Sequence, residues 1–154
     1  SGGSGGSGGT NLTWQMWSAS TAEVDAWKKV ANIAHYATLF PEYDLVFVGD
    51  SGQGDIAVGE QILQAHGDVV KAVFIHDVVA LDAGRRAELA AKGIWVVDTY
   101  VGAAAKAHEL GLISEAGVQR VIDETHRLLD DVEWESSEQE RAMRELVERD
   151  ASGR

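Results

Sequence analysis

The 154-residue chain has no cysteine, which excludes disulfides, thiolate catalysis and cysteine-ligated zinc. Positive charge is scarce: 13 lysines and arginines stand against 25 acids, for a formal net charge of -12 and a pI near 4.7. A field of that sign repels nucleic-acid backbones and anionic membrane faces, so no nucleic-acid partner is expected. A solvated acidic exterior that favours solubility accounts for the charge. No apolar run approaches the roughly 20 residues that span a bilayer, and no signal peptide opens the chain. A cytoplasmic protein without a transmembrane segment is the default expectation, although a Ser-Gly start leaves open the loss of a native targeting segment. Catalytic signatures are also missing: no HExxH occurs, and the glycine-rich turn Gly49-x-x-Gly52-x-Gly54 has neither GxGxxG spacing nor a phosphate-loop lysine. No two aspartates stand in Asp-x-Asp spacing anywhere.

What remains is enough for one domain, since 45% hydrophobic residues and five tryptophans can fill a core. Residues 1–10 begin with Ser-Gly-Gly repeats of the kind used as flexible engineered linkers and bring no side chains to pack. Residues 11–20 carry Trp14, Met16 and Trp17 in a polar frame that reads as a strand or an aromatic plug. Helical spacing follows through Val24, Trp27, Val30, Ala34 and Leu39, capped by Ser20 or Thr21 and ended by Pro41, the single proline. Apolar runs at 43–49, 71–78 and 94–99 predict three buried strands, separated by helices over about 55–67 and 82–92. Near-continuous apolar strands alternating with helices imply right-handed crossovers and a parallel sheet covered on both faces. The fold class is α/β, a three-layer αβα Rossmann-like arrangement with a helical carboxyl-terminal tail. The tail comprises a short helix over about 103–110, a longer one capped by Ser114, and a charged peripheral helix and tail over 136–154, frayed at its end. Three strands are few for a doubly wound sheet, so residues 11–135 read as part of a domain whose first strand is an exposed edge unless residues 11–18 or a missing segment cover it.

The densest chemistry lies in Tyr43-Asp44-Leu45-Val46-Phe47-Val48-Gly49-Asp50-Ser51-Gly52-Gln53-Gly54-Asp55. A buried strand here delivers two carboxylates into a glycine-rich turn, which is how a divalent metal is held beside a phosphate. Asp50 and Asp55, with Ser51 and Gln53 as neutral oxygen donors, suit Mg²⁺, a hard cation that takes one or two carboxylates plus waters and phosphate. Asp55 is read equally well as the cap of the following helix. Ligands gather beyond the carboxyl ends of parallel strands, and all three strands here end in acids, Asp50, Asp77 and Asp98. Asp77 and Asp98 by themselves read as turn or cap residues. His35 and His76 read as satisfied histidines on apolar elements, and Lys28, Lys29, Arg85, Arg86 and Lys92 as surface cations.

Phe40-Pro41, the GDSGQGD run at 49–55 and Ala72-Val73-Phe74-Ile75-His76-Asp77-Val78 together resemble the catalytic domain of the actin-patch-associated phosphatidate phosphatases. That family lies in the haloacid-dehalogenase-like superfamily, and the similarity runs from about Trp14 to about Val132. The resemblance implies a Mg²⁺-dependent phosphomonoester hydrolase with a phosphorylated substrate. It maps Asp50 and Asp55 onto the metal-binding acidic pair and Lys29 onto the catalytic lysine, with Ser51 and Gln53 either facing the substrate or supporting the residues that do. It also exposes a departure: the family's nucleophile stands in Asp-x-Asp, and this chain has none. Without it no carboxylate forms the aspartyl-phosphate intermediate and no acid protonates the leaving oxygen. The expected function is the carboxyl-terminal part of such a phosphatase, a partial haloacid-dehalogenase-like core that is inactive alone, binds Mg²⁺ weakly, and needs a complementing amino-terminal fragment. The alternative is a non-catalytic binding or scaffold module on the same fold. A small phosphoacceptor or nucleotide-binding domain is a third reading, resting on the strand-end acids alone.

Overall fold

The computed structural model describes residues 21–52 and 54–153, with residues 21–24 described in backbone only. The Ser-Gly repeats, the segment with Trp14, Met16 and Trp17, and Gln53 lie outside the described residues.

Helix α1 (Thr21–Leu39) leads through Phe40 and Pro41 to strand β1 (Leu45–Asp50). Helix α2 (Asp55–His66), strand β2 (Val70–His76), helix α3 (Ala83–Ala91) and strand β3 (Ile94–Val97) follow, and then helices α4 (Tyr100–Glu109), α5 (Glu115–Asp130) and α6 (Ser137–Ser152). The strands pair in the order β1-β2-β3, all parallel. This is the α/β architecture read from the sequence: a parallel three-stranded sheet flanked by helices, with a helical carboxyl-terminal region.

Because side chains alternate along a strand, the sheet has two distinct faces. Phe47, Val73, Ile75, Ile94 and Val96 point to one face, where Val58 and Ile62 of α2, Leu89 of α3 and Val30 and Ile33 of α1 close the main core. Ala72, Phe74, Trp95 and Val97 point to the other and meet Ala103 and Ala107 of α4. Among the described residues, coverage there stops at β2. Val46 and Val48 of β1, on the same face, are 45% and 56% exposed, so the expectation of a sheet covered on both faces holds for β2 and β3 only.

Two element boundaries differ from the sequence reading for local reasons. The second strand ends at His76 because the Asp77 carboxylate accepts from the amides of Val79 (3.2 Å) and Leu81 (2.9 Å), which turns the chain. The helix expected from residue 103 starts at Tyr100 because the Thr99 hydroxyl caps it, accepting from the Gly102 amide at 3.0 Å. Ser114 and Ser136 cap α5 and α6 in the same way.

Helix α6 is more firmly docked than its charged sequence suggests. Val147 is buried with Val101, Val118 and Ile122. At its last turns Asp150 accepts from the Thr99 hydroxyl at 2.6 Å, and Arg149 donates to Asp98 at 2.8 Å. Val147, with Ala151 beside the same cluster, therefore seats the helix, and polar bonds lock it to the strand ends.

Candidate functional site

The carboxyl end of β1 bends into the glycine-rich turn, and α2 begins there. Gly54, at φ 82°, supplies the left-handed residue that starts α2 and makes no side-chain cap. Asp55 is thus the first residue of the helix rather than its cap, and its carboxylate is free to reach backwards. One oxygen accepts from the Lys29 ammonium and the other from the Asp50 amide at 3.2 Å. The side chain is only 8% exposed, and it sits at a helix amino terminus where the aligned peptide dipoles favour negative charge.

Lys29 is half-way along α1, 26 residues before Asp55 in sequence. Its neighbour Lys28 faces solvent and pairs with Asp25 at 3.6 Å, so the structure separates two lysines that the sequence left adjacent. The close approach of Asp55 to β1 depends on Gly49, where a Cβ would lie 2.5 Å from the Asp55 carboxylate. Because Lys29 and the Asp50 amide pin that carboxylate, it cannot swing aside. We expect Gly49→Ala to destabilise the protein by about 1–3 kcal/mol, seen as a lower urea midpoint, and to displace the Asp50 and Asp55 amide resonances.

Asp50 stands beside this pair. Its Oδ1 accepts from the Gly52 amide at 2.7 Å, while its Oδ2 makes no hydrogen bond among the described residues. Ser51 is engaged at the same strand end. Its hydroxyl donates to Asp77 at 3.0 Å and accepts from the amides of Val78 (2.8 Å) and Val79 (3.2 Å), fastening the end of β1 to the end of β2.

That fastening belongs to a larger ionic network that the sequence reading missed. Arg86, taken there for a surface cation, bridges Asp77 and Asp98 with its Nη2 at 2.5 Å from each. The Asp77 side chain is 1% exposed. Burial pushes its carboxyl up, but hydrogen bonds from Leu81, Arg86, Ser51 and Val79 outweigh this and hold it below the usual value. At Asp98 burial acts upward too, and Arg86 with Arg149 brings the carboxyl below its usual value. Arg86 is raised in turn, chiefly by its bond to Asp98. The signal that announces this network was the ending of every strand in an acid, since neighbouring buried carboxylates require a cation between them.

His76 is adjacent to Asp50 in the sheet register and donates through Nε2–H to the Asp98 carbonyl at 3.2 Å. His35 is exposed on α1, away from these groups. Among the described residues no group of three or more histidines and acids converges as a metal cage.

Residues 9–77 match the family model of the catalytic domain of phosphatidate phosphatase APP1. That stretch, a little under half of the chain, ends one residue past β2 and contains Lys29, Asp50, Ser51, Asp55 and His76. The resemblance read from the sequence is therefore supported over the APP1-like part. The expected extension to Val132 is not, because α3, β3 and the three last helices lie beyond the match. Comparisons with curated proteins and with solved structures give no match. The similarity to a phosphatidate phosphatase catalytic domain is thus confined to the segment that runs through α1, β1, α2 and β2. No helix among the described residues is long and apolar enough to cross a membrane.

Proposed function

We propose that this chain is the carboxyl-terminal part of a Mg²⁺-dependent, phosphatidate-phosphatase-like phosphomonoester hydrolase and that it does not turn over substrate by itself. The observation that carries the reading is the contact of Lys29 with Asp55 beside Asp50, which gathers a cation and two carboxylates at the carboxyl end of a parallel strand. A phosphate oxygen suits the ammonium, and hard oxygen donors suit Mg²⁺.

The donor set fits Mg²⁺ in an uneven way. The Oδ2 of Asp50 has no hydrogen-bond partner among the described residues and would be the direct ligand, whereas both oxygens of Asp55 are already engaged. Asp55 orients Lys29 and the Asp50 backbone, and would add its negative charge beside a bound ion. When bound, Mg²⁺ would neutralise phosphate charge. Lys29 would hold a second phosphate oxygen, and the turn from Gly49 to Asp55 would fix both at one distance from the strand end. The nucleophile is the missing part, since no Asp-x-Asp occurs in the chain.

The test is reconstitution. The chain mixed with an amino-terminal fragment that carries Asp-x-Asp on a strand should release phosphate from phosphatidate only when both pieces and Mg²⁺ are present. An assembled complex that releases none would sink the reading, and so would release by this chain alone.

A further inference from the structure

Helix α5 carries more apolar surface than its docking uses. Val118, Ile122 and Leu129 are buried with residues of α4 and α6, and at about 100° per residue Val121 and Leu128 fall on the neighbouring face. There Val121 is half-buried and Leu128 is 50% exposed. With Tyr100, at the start of α4, and Ile113 they line an open groove of about 780 Å³. Single exposed apolar residues need no explanation, but a continuous apolar trough of ligand size does. The short connection 110–114 makes α4 and α5 antiparallel neighbours, so the trough begins at Tyr100 and Leu128 and ends at Ile113. Tyr100 also joins it to the strand ends. Its ring, 62% exposed, stacks on that of His76, with centroids 5.5 Å apart and planes inclined by 27°, and His76 is paired in register with Asp50. The mouth of the groove is thus one strand across from the acid at the proposed phosphate site.

We infer that this groove holds an acyl chain of a phospholipid substrate whose phosphate lies at the strand ends, with Tyr100 as the joint between the two. The inference rests on the phosphatase reading for the phosphate end and adds a place for the tail, which that reading lacks. Lysine and carboxylates at a strand end can recognise a phosphate on any alcohol, whereas an apolar trough selects a long hydrocarbon chain. The lengths agree. From Ser114 to Leu128 the helix rises about 21 Å at 1.5 Å per residue, and one acyl chain spans half of a hydrocarbon core, about 15 Å. The charges on the walls do not oppose a tail. Glu124 is occupied by Arg127 through bonds of 2.9 and 2.6 Å, and the exposed Arg120 can lay its stem along a hydrocarbon chain with its head in water. No residue of the groove lies within the 9–77 family match, so the tail site belongs to the helical region that follows it.

Three probes, each kept monomeric, separate the two ends in ¹⁵N amide spectra of the full chain with Mg²⁺ present: dioctanoyl phosphatidate, dioctanoyl glycerol and glycerol 3-phosphate. Both probes with tails should move the amides of Tyr100, Val121 and Leu128, and glycerol 3-phosphate should not. Leu128→Glu, at a half-exposed position whose loss the core tolerates, should weaken dioctanoyl phosphatidate binding at least about tenfold, the effect of losing one buried leucine contact. It should leave the response to glycerol 3-phosphate unchanged. Leu110→Glu, at an exposed leucine outside the groove, should leave the binding of all three unchanged. Shifts spread equally to Leu110, or tail binding that survives Leu128→Glu, would mean non-specific adsorption and overturn the inference. Concentration-dependent shifts at the groove amides without any probe would give the groove to a second copy of the chain and overturn it too. A response to glycerol 3-phosphate at Gly49–Asp55 with a silent groove removes the tail site and leaves the phosphatase reading standing. The converse, tails in the groove and no response to glycerol 3-phosphate, supports the apolar site and counts against that reading.

Discussion

Replacing Arg86 with methionine is expected to cost about 3 kcal/mol of stability, more than any other single change in the charged network. Methionine matches the stem, so little packing is lost, and the effect comes from charge. Asp77 is the reason for the size: with a side chain 1% exposed it cannot recruit water, and removing one partner of a buried pair leaves an uncompensated charge. The bonds it keeps from Ser51, Val79 and Leu81 hold the cost at the lower end of what such deletions show. Asp98, 28% exposed and still paired with Arg149, contributes less. The double variant with Asp77→Asn should be more stable than the sum of the two single changes, because the amide removes the stranded charge. Urea midpoints at constant slope measure all three. Strict additivity would show that Arg86 and Asp77 do not interact.

The same network sets the acid limb of stability. Asp77 and Asp98 both titrate below the usual carboxylate value of about 4 in the folded chain, so the unfolded chain binds more protons in acid. Stability from these groups is therefore complete above about pH 5 and is lost as the pH falls through the depressed folded values. Arg86→Met should flatten that slope, since it removes a cause of both shifts.

The network and the site were legible in the sequence to different degrees, for physical reasons. The strands were read from periodicity because Val73, Ile75 and Ile94 must be apolar to be buried on a sheet. Asp50 and Asp55 stood out because a glycine-rich turn after a strand has few other uses. Lys29 did not stand out by position: two adjacent lysines on a helix look alike, and only the family resemblance singled one out before the structure joined it to Asp55. Arg86 was invisible for a similar reason. Its partners are 9 and 12 residues away on strand ends, a separation with no helical or strand period. The bonds of Ser51 were illegible because a hydroxyl in a turn satisfies backbone amides as readily as a ligand, and its partners Val78 and Val79 lie 27 and 28 residues away. Helix α6 was underestimated since three apolar residues say little about docking, while Thr99, Asp98, Arg149 and Asp150 meet only in three dimensions.

Lys29→Met should destabilise the protein by about 2–3 kcal/mol and Asp55→Asn by only about 1 kcal/mol, although each breaks the same ion pair. The asymmetry follows from exposure. Without Lys29 the Asp55 carboxylate, 8% exposed, keeps a single bond from the Asp50 amide and little access to water. Without the Asp55 charge the Lys29 ammonium, 43% exposed, is hydrated, and the asparagine oxygen still accepts from Asp50. Stability and ligand response then separate the structural role from the proposed chemical one. Lys29→Arg restores the charge, so it should recover most of the stability lost in Lys29→Met, yet its larger planar head is not aligned for the same oxygen and a phosphate together. The reconstituted pair carrying Lys29→Arg should therefore stay assembled and still release phosphate at least about tenfold more slowly than the parent. Full activity with arginine would reduce Lys29 to a counter-ion for Asp55. An equal stability cost for the methionine and asparagine variants would mean that the two side chains do not meet in solution.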